Sequence, residues 1–413
     1  MQGSSGDTCV GASPSAEPAK KAPLWAMTAF SFVSAATVVG SSSAATPLYR
    51  LYQESMHLTP LMITLVFAVY AISLLAALLT VGGLSDYVGR RPVILGGLIV
   101  NAVAMMLFSY AADVGDLILA RAVQGLCVGA STTTLGAAIL DSDRTRGPLL
   151  NSVSAFVGLM VGALGAGLLV TFAPDPFHLV YEVLFVITAV LIFLLWFMPE
   201  TVSRKPGALA SLWPNVRVPA QSRAALMLVT PANVASWALG GFYLSLMPTI
   251  VAVTMGVSAP WIGGVVVATL MLAGAVSVGV LRHLPARRLL IIGTTGLSIG
   301  VMVSLLGIQQ HSTVLLFVGT TIAGIGFGSS FAGILSSLLP TAEAHQRAGL
   351  LATFYVISYL AFSLPALAAG VSVPFVGLAT VAYVYGAVVI LFAIISLVAT
   401  LRGPASRQIA SAR

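Results

Sequence analysis

Residues Gly82 to Pro92 read GGLSDYVGRRP, which places Asp86, Arg90 and Arg91 within one short stretch. The surrounding chain is 58% hydrophobic and only 8% charged. Charges so concentrated in so apolar a chain need water or lipid headgroups beside them, so the flanks of this stretch decide the fold. On either side lies an apolar run of about 20 residues, the length a helix needs to cross a bilayer. The pattern recurs along all 413 residues, whose mean hydropathy is +1.02. Apolar runs begin near Trp25, Leu61, Val93, Leu117, Leu149 and Phe177, and again near Ala224, Trp261, Leu289, Val314, Leu350 and Phe375. The expected fold is an all-α membrane protein with twelve transmembrane helices.

The formal charge of +7 does not point to nucleic acid, because the basic residues are scattered among the segments between spans. They follow a side rule instead. Alternate segments carry Lys20 and Lys21, Arg90 and Arg91, Arg144 and Arg146, then Arg204, Lys205, Arg217 and Arg223. The same side continues with Arg282, Arg287, Arg288, Arg347, Arg402, Arg407 and Arg413. The opposite segments hold only Arg50, and Arg121 lies within a span. This distribution places both termini in the cytoplasm and the protein in the cell membrane. Residues 1–22 are small, polar and Pro-containing, and read as a disordered cytoplasmic tail rather than a targeting peptide. Cys9 in that tail and Cys127 in an apolar run predict no structural disulfide.

The longest polar interruption, around Pro199 to Gln221, divides the chain into similar halves. RGPLLNS from Arg146 matches RAGLLAT from Arg347, and QGLCVGAS from Gln124 matches AGIGFGSS from Ala323. Arg90 and Arg91 after the second span correspond to Arg287 and Arg288 after the eighth. The expected organisation is two pseudo-symmetric six-helix bundles, residues 23–198 and 223–402, joined by a cytoplasmic linker over 199–222. A cytoplasmic tail would follow over 403–413. Leu209, Leu212, Trp213 and Val216 in the linker suit either a membrane-surface segment or a solvated loop. A paired-bundle arrangement places a transport site at the interface of the halves.

From Gly82 to Ile94 the chain reads G-x-L-x-D-x-x-G-R-R-x-x-I, and the fourth span contains LILARAVQG, Leu117 to Gly125. These two stretches resemble signatures of the major facilitator superfamily, with Tyr87 standing where that family often has a basic residue. The resemblance covers Trp25 to Leu401 and is to the twelve-helix drug efflux branch of drug:proton antiporters. Gly158, Gly162, Gly165 and Gly167 in the fifth span resemble the glycine-rich antiporter signature, although Ala163 replaces its proline. Four-residue spacing of small side chains also serves plain helix packing. The resemblance implies a conformational latch made by Gly82, Asp86, Gly89, Arg90, Arg91 and Asp141. In it Asp86 would face the N-terminal dipole of the eleventh helix near Arg347, and Arg90 would pair with Asp141. Gly82 and Gly89 would permit close backbone approach and a tight turn.

A charge inside a span is expensive unless it faces a polar interior. Arg121, Gln124, Val128 and Ser131 or Thr132 mark such a face on the fourth span. Arg121 has two readings. It contacts an anionic substrate or responds to nearby protonation, or it donates to first-span carbonyls near the run Gly40 to Ser43. No Asp or Glu lies at mid-depth, which leaves Glu182 and Arg121 as candidates for proton coupling. Glu182 also reads as a solvated helix-end residue. Asn233 and Trp237 share one face of the seventh span, and Tyr355 and Tyr359 pair on the eleventh. With Arg121 and Gln124 they form the expected substrate-binding set, core packing being the other reading.

The expected function is alternating-access secondary transport, exporting amphipathic or drug-like molecules in exchange for protons. The second reading is an importer or facilitator of a small metabolite. A membrane-embedded enzyme would need converging His, Asp, Glu or Ser groups. His57, His178, His283, His311 and His345 instead lie in or beside connecting segments on both faces. No phosphate-binding loop indicates ATP, so no cofactor is expected. The expected partners are a small-molecule substrate, protons and membrane lipids, with the monomer as the working unit. A transport-inactive receptor is a further, weaker reading.

Overall fold

The computed structural model describes residues 22–402, apart from 215, 255, 257, 258 and 260. The tails expected over 1–22 and 403–413 fall outside the described residues except for Ala22. Among the described residues the chain is helical with no strand. Twelve helices are long and apolar enough to cross a bilayer. The first six are Leu24–Met56, Leu61–Val81, Arg90–Ser109, Val114–Ser142, Gly147–Phe172 and Pro176–Leu195. The last six are Ala220–Ser245, Trp261–Leu281, Ala286–Gln309, Thr313–Thr341, Arg347–Val376 and Leu378–Arg402.

Local chemistry sets the ends. Thr59 caps the second helix by accepting the Met62 N–H at 3.3 Å, and Asp113 caps the fourth through Asp116 N–H at 3.0 Å. Ser312 caps the tenth in the same way, through Leu315 N–H at 3.4 Å. One expected boundary shifts. The twelfth span was expected near Phe375, yet the eleventh helix runs through Pro365 and Pro374 to Val376. The chain turns at Gly377, whose φ of 80° favours glycine, and the last helix starts at Leu378.

Packing shows the duplication directly. Within the first half the first span packs on the fifth, the second on the fourth, and the third on both the fourth and sixth. The second half repeats this with seven on eleven, eight on ten, and nine on both ten and twelve. The two bundles meet through the fifth span on the eighth and the second on the eleventh, again a symmetry-related pair. The basic pairs obey the same relation. Arg91 donates to Leu195 O and Trp196 O at the end of the sixth span, at 3.2 and 3.1 Å. Arg287 donates to Thr400 O and Leu401 O at the end of the twelfth, both at 3.3 Å.

Close helix contact within the first half depends on the fifth-span glycines. A Cβ at Gly158 would lie 2.5 Å from Ala36 O, and one at Gly40 would lie 2.8 Å from Gly158 O. The helix-packing reading of that run therefore has a physical basis.

One end of the bundle carries the 82–92 loop, the linker and both ends of the described chain, and is called here the basic face. At the other end the halves are sealed together. Thr46 Oγ1 donates to Leu244 O at 3.0 Å, joining the first span to the seventh. Gly264 packs on Ala163, where a Cβ would lie 2.5 Å from its carbonyl oxygen, and Gly370 lies against Thr64. Toward the basic face the contacts change. Lys205 N–H reaches Tyr87 O at 2.8 Å and Arg217 N–H reaches Gly349 O at 3.4 Å, so the linker touches each half in turn. No ion pair joins the halves among the described residues. A separate core that includes Leu226, Leu290, Leu338, Leu350 and Phe354 belongs to the second half alone. Direct hydrogen bonds and close glycine contacts thus join the halves at the far face, and the linker touches both at the basic face.

Candidate functional site

Arg121 is 1% exposed, seven residues beyond the start of its helix at Val114, about 10 Å from the closed face. A buried guanidinium without a carboxylate must be solvated by other groups. Its Nη1 donates to Ser42 O at 3.0 Å and to Gln124 Oε1 at 2.6 Å, and Nη2 donates to the Tyr49 hydroxyl. Its charge also faces the rings of Tyr49, Tyr70 and Phe108 at 5.3, 5.4 and 5.5 Å. Nε has no partner. Gln124, fully buried, returns its amide to Ser41 O at 3.0 Å, and Ser41 donates to Asn101 at 3.0 Å. Asn101 donates in turn to Thr188 on the sixth span at 3.0 Å. The network ties four spans of the first half around one charge.

The second half presents aromatic rings instead. Trp237 lies fourteen residues beyond Arg223, about 20 Å along its helix. Its ring meets Tyr359, Phe362 and Tyr355 edge-on, with centroids 4.9, 6.1 and 6.5 Å away. One turn earlier Asn233 exchanges hydrogen bonds with Ser358, at 2.9 and 3.1 Å. Three aromatic contacts cross between the halves. Phe67 meets Phe362 at 4.8 Å, and Phe156 meets Phe327 and Phe331 at 5.5 and 6.0 Å. Phe67 and Phe156 are buried, whereas Trp237, Tyr355, Tyr359, Phe327 and Phe331 are only half-buried. These half-buried rings stand together at the junction of the two bundles.

At the basic face Arg90 is the hub. Its guanidinium reaches Asp141 at 3.0 Å, Ser85 at 2.7 Å and Asp86 at 2.5 Å. The backbone N–H groups of Arg90 and Arg91, opening the third span, donate to the two oxygens of Glu200 at 2.8 and 3.0 Å. Gly89 makes this possible: its φ is 99°, and a Cβ there would lie 2.7 Å from Glu200 Oε2.

A family model described as Major Facilitator Superfamily matches residues 28–284. The chain belongs to that superfamily. The multidrug resistance protein MdtL of Citrobacter koseri is 32% identical over 104 residues, 24% of this chain. That match spans 27% of the relative's own length. Two solved structures share the fold along most of the chain. The human organic anion transporter MFSD10 (TETRAN) superposes with a TM-score of 0.66 at 17% identity, covering 91% of this chain and all of that one. A bacterial homologue of the human lysosomal transporter Spinster, inward-facing and unoccupied, gives 0.74 at 13% identity over 92% and 97% of the two chains. Membership of that superfamily points to a transporter.

With the superfamily fixed, the expected site residues can be placed. Asn233, Trp237, Tyr355 and Tyr359 come together as one cluster between the seventh and eleventh spans. Arg121 and Gln124 do not join them; they are buried among first-span carbonyls beside Gly40 to Ser43, as their structural reading expected. Arg90 pairs with Asp141 as expected. Asp86, by contrast, was expected to face the eleventh helix and instead turns to Arg90, its side chain 60% exposed. Its contact is the Arg90 guanidinium, four residues on, which already holds Ser85 and Asp141. Glu182 is exposed, while the neighbouring Tyr181 points inward and accepts a 3.0 Å hydrogen bond from the Tyr52 hydroxyl. One residue is about 100° of helix, enough to turn the carboxylate away from the bundle. Sequence reasoning missed Phe67, Phe156, Phe362 and Glu200. A lone Phe in an apolar span gives no signal, but PET at Pro199 to Thr201, an acid just past the sixth span, was legible and was read only as linker.

Proposed function

We propose that this transporter exports amphipathic, drug-like molecules in exchange for protons, and that the basic face is cytoplasmic. On that assignment the conformation is open to the cytoplasm, the state that loads substrate for export. The observation that carries the reading is the half-buried ring cluster of Trp237, Tyr355, Tyr359, Phe327 and Phe331, beside a buried amide and without a carboxylate. Such a lining suits flat apolar or cationic molecules better than sugars or highly charged metabolites. The multidrug resistance name of the partial relative supports the substrate class, and the inward-facing title of the Spinster homologue supports the state. For proton coupling, the exposed position of Glu182 leaves Arg121 the better placed candidate, buried and lacking an acid partner. Bundles over 23–198 and 223–402, the linker over 199–222 and a monomeric working unit complete the proposal.

The test is transport in proteoliposomes with an imposed pH gradient, using lipophilic cations and neutral drugs. Export coupled to protons predicts uphill accumulation that collapses when a protonophore dissipates the gradient. Downhill movement indifferent to pH would replace the antiporter by a facilitator. For orientation, cysteines placed at Ser203 and Ser312 should label from opposite sides of intact cells. Labelling of both from outside by an impermeant reagent would overturn the topology.

A further inference from the structure

Between the third and sixth spans, at the basic face, lies a groove of about 320 Å³ outside the central chamber. Its wall includes Leu95 and Leu195, and its rim carries Arg91, Arg204, Glu200 and Trp196. The charges on this rim are unbalanced. Both Glu200 oxygens are engaged by the neutral N–H groups of Arg90 and Arg91, so the acid serves as a helix cap. Arg91 spends Nη2 on two carbonyls, and its Nε is buried without a partner. Neither Arg91 nor Arg204 belongs to an ion pair among the described residues. Arg204 is exposed at the mouth. Trp196 is 68% exposed at the end of its span, where an indole marks the headgroup layer.

A cationic rim at headgroup depth and an apolar wall running toward the bilayer core together define an anionic amphiphile. We propose that this groove binds an acidic phospholipid of the leaflet beside the basic face. The phosphate sits between the Arg91 and Arg204 guanidinium groups, and one acyl chain lies along Leu95 and Leu195. The symmetry-related position does not repeat the site. Arg287 engages its Nε with Thr400 O, whereas the Nε of Arg91 has no partner. The proposal holds whatever the transported substrate is, since it involves none of the chamber residues.

The experiment measures melting temperature of the purified protein in a neutral detergent, with added phosphatidylglycerol, phosphatidylcholine or inorganic phosphate. Phosphatidylglycerol should raise Tm by several degrees more than phosphatidylcholine, and inorganic phosphate should have no such effect. Arg91→Gln with Arg204→Gln should lose most of the difference. Arg282→Gln with Arg288→Gln removes the same charge from the same face and should keep it. Equal shifts from both lipids, an undiminished shift in the first double variant, or a full shift from inorganic phosphate would overturn the site. If the Arg91 change prevents folding, Arg204→Gln alone decides: an unchanged lipid preference refutes the proposal, a reduced one upholds it.

Discussion

Replacing Trp237 by alanine separates recognition from packing, because the proposed function gives the indole both roles with different magnitudes. Its three aromatic neighbours all belong to the eleventh span, at 4.9, 6.1 and 6.5 Å. Each edge-on pair contributes about 0.5–1.5 kcal/mol beyond its area. Full truncation of a buried tryptophan costs about 3–5 kcal/mol, and half-burial puts this one near the lower end. The seventh span would therefore loosen from the eleventh by about 3 kcal/mol, visible as a lower Tm. The chamber-facing edge of the ring adds a second effect. A cationic or aromatic ligand stacked there loses about 1–3 kcal/mol, equivalent to about 5- to 150-fold in Kd. Trp237→Phe keeps a ring and should recover much of the stability, but less of the affinity for cations, since indole is the stronger cation–π partner. The assay is ligand affinity and Tm on the same purified variants. A lowered Tm with affinities unaltered for every ligand would remove Trp237 from the site and leave it as packing.

Asp86→Asn should leave stability within about 0.5 kcal/mol of the parent, because Asp86 is exposed in this conformation, yet slow turnover by weakening the closed state of the basic face. Undiminished turnover in reconstituted protein would reduce the loop to a topology signal. Glu200→Gln replaces one accepting oxygen by an amide donor, leaves an N–H of Arg90 or Arg91 unpaired, and should cost about 1–3 kcal/mol of stability. A melting curve superimposable on the parent's would refute the capping role. Ser358→Ala strips Asn233, which is 1% exposed, of its partner and should cost about 1–3 kcal/mol. Adding Asn233→Leu should restore most of that loss, and a double variant less stable than Ser358→Ala would contradict the pairing.

The twelve spans were legible because membrane crossing demands long apolar runs, and every expected start falls within four residues of its helix. The start expected near Phe375 falls inside the end of the eleventh helix, because Pro374 looks like a break in sequence and is accommodated in the helix. The Arg90–Asp141 pair was legible from its charges, and the Asn233–Trp237 face from helical spacing. Gln124 shows the limit of that method. Spacing put it on a polar face, but whether that face meets a chamber or a neighbouring helix depends on packing, and Ser41 O claims it. Asp86 shows another limit: a sequence names a contact without saying in which conformation it forms.

The matched stretches from Gln124 and Ala323 make Thr320 the counterpart of Arg121, each three residues earlier in its span. Both positions are held through a tyrosine hydroxyl. Tyr49 accepts from Arg121, and Tyr243 lies 3.0 Å from Thr320 and 3.3 Å from Ser304. The second half thus keeps the same kind of tie without the charge, so the costly group is confined to one copy of the duplicated unit. The charge and the aromatic cluster nevertheless meet at one contact. Tyr70 packs over Arg121 from the second span, and one turn away on that span Phe67 packs on Phe362 of the eleventh, which touches Trp237. A ligand can shift a conformational equilibrium only through its differential interaction with the two states. A molecule wedged against Trp237 and a change in the surroundings of Arg121 both act on the packing of the second span against the eleventh. That packing closes the far face and has to yield before the chamber can open there.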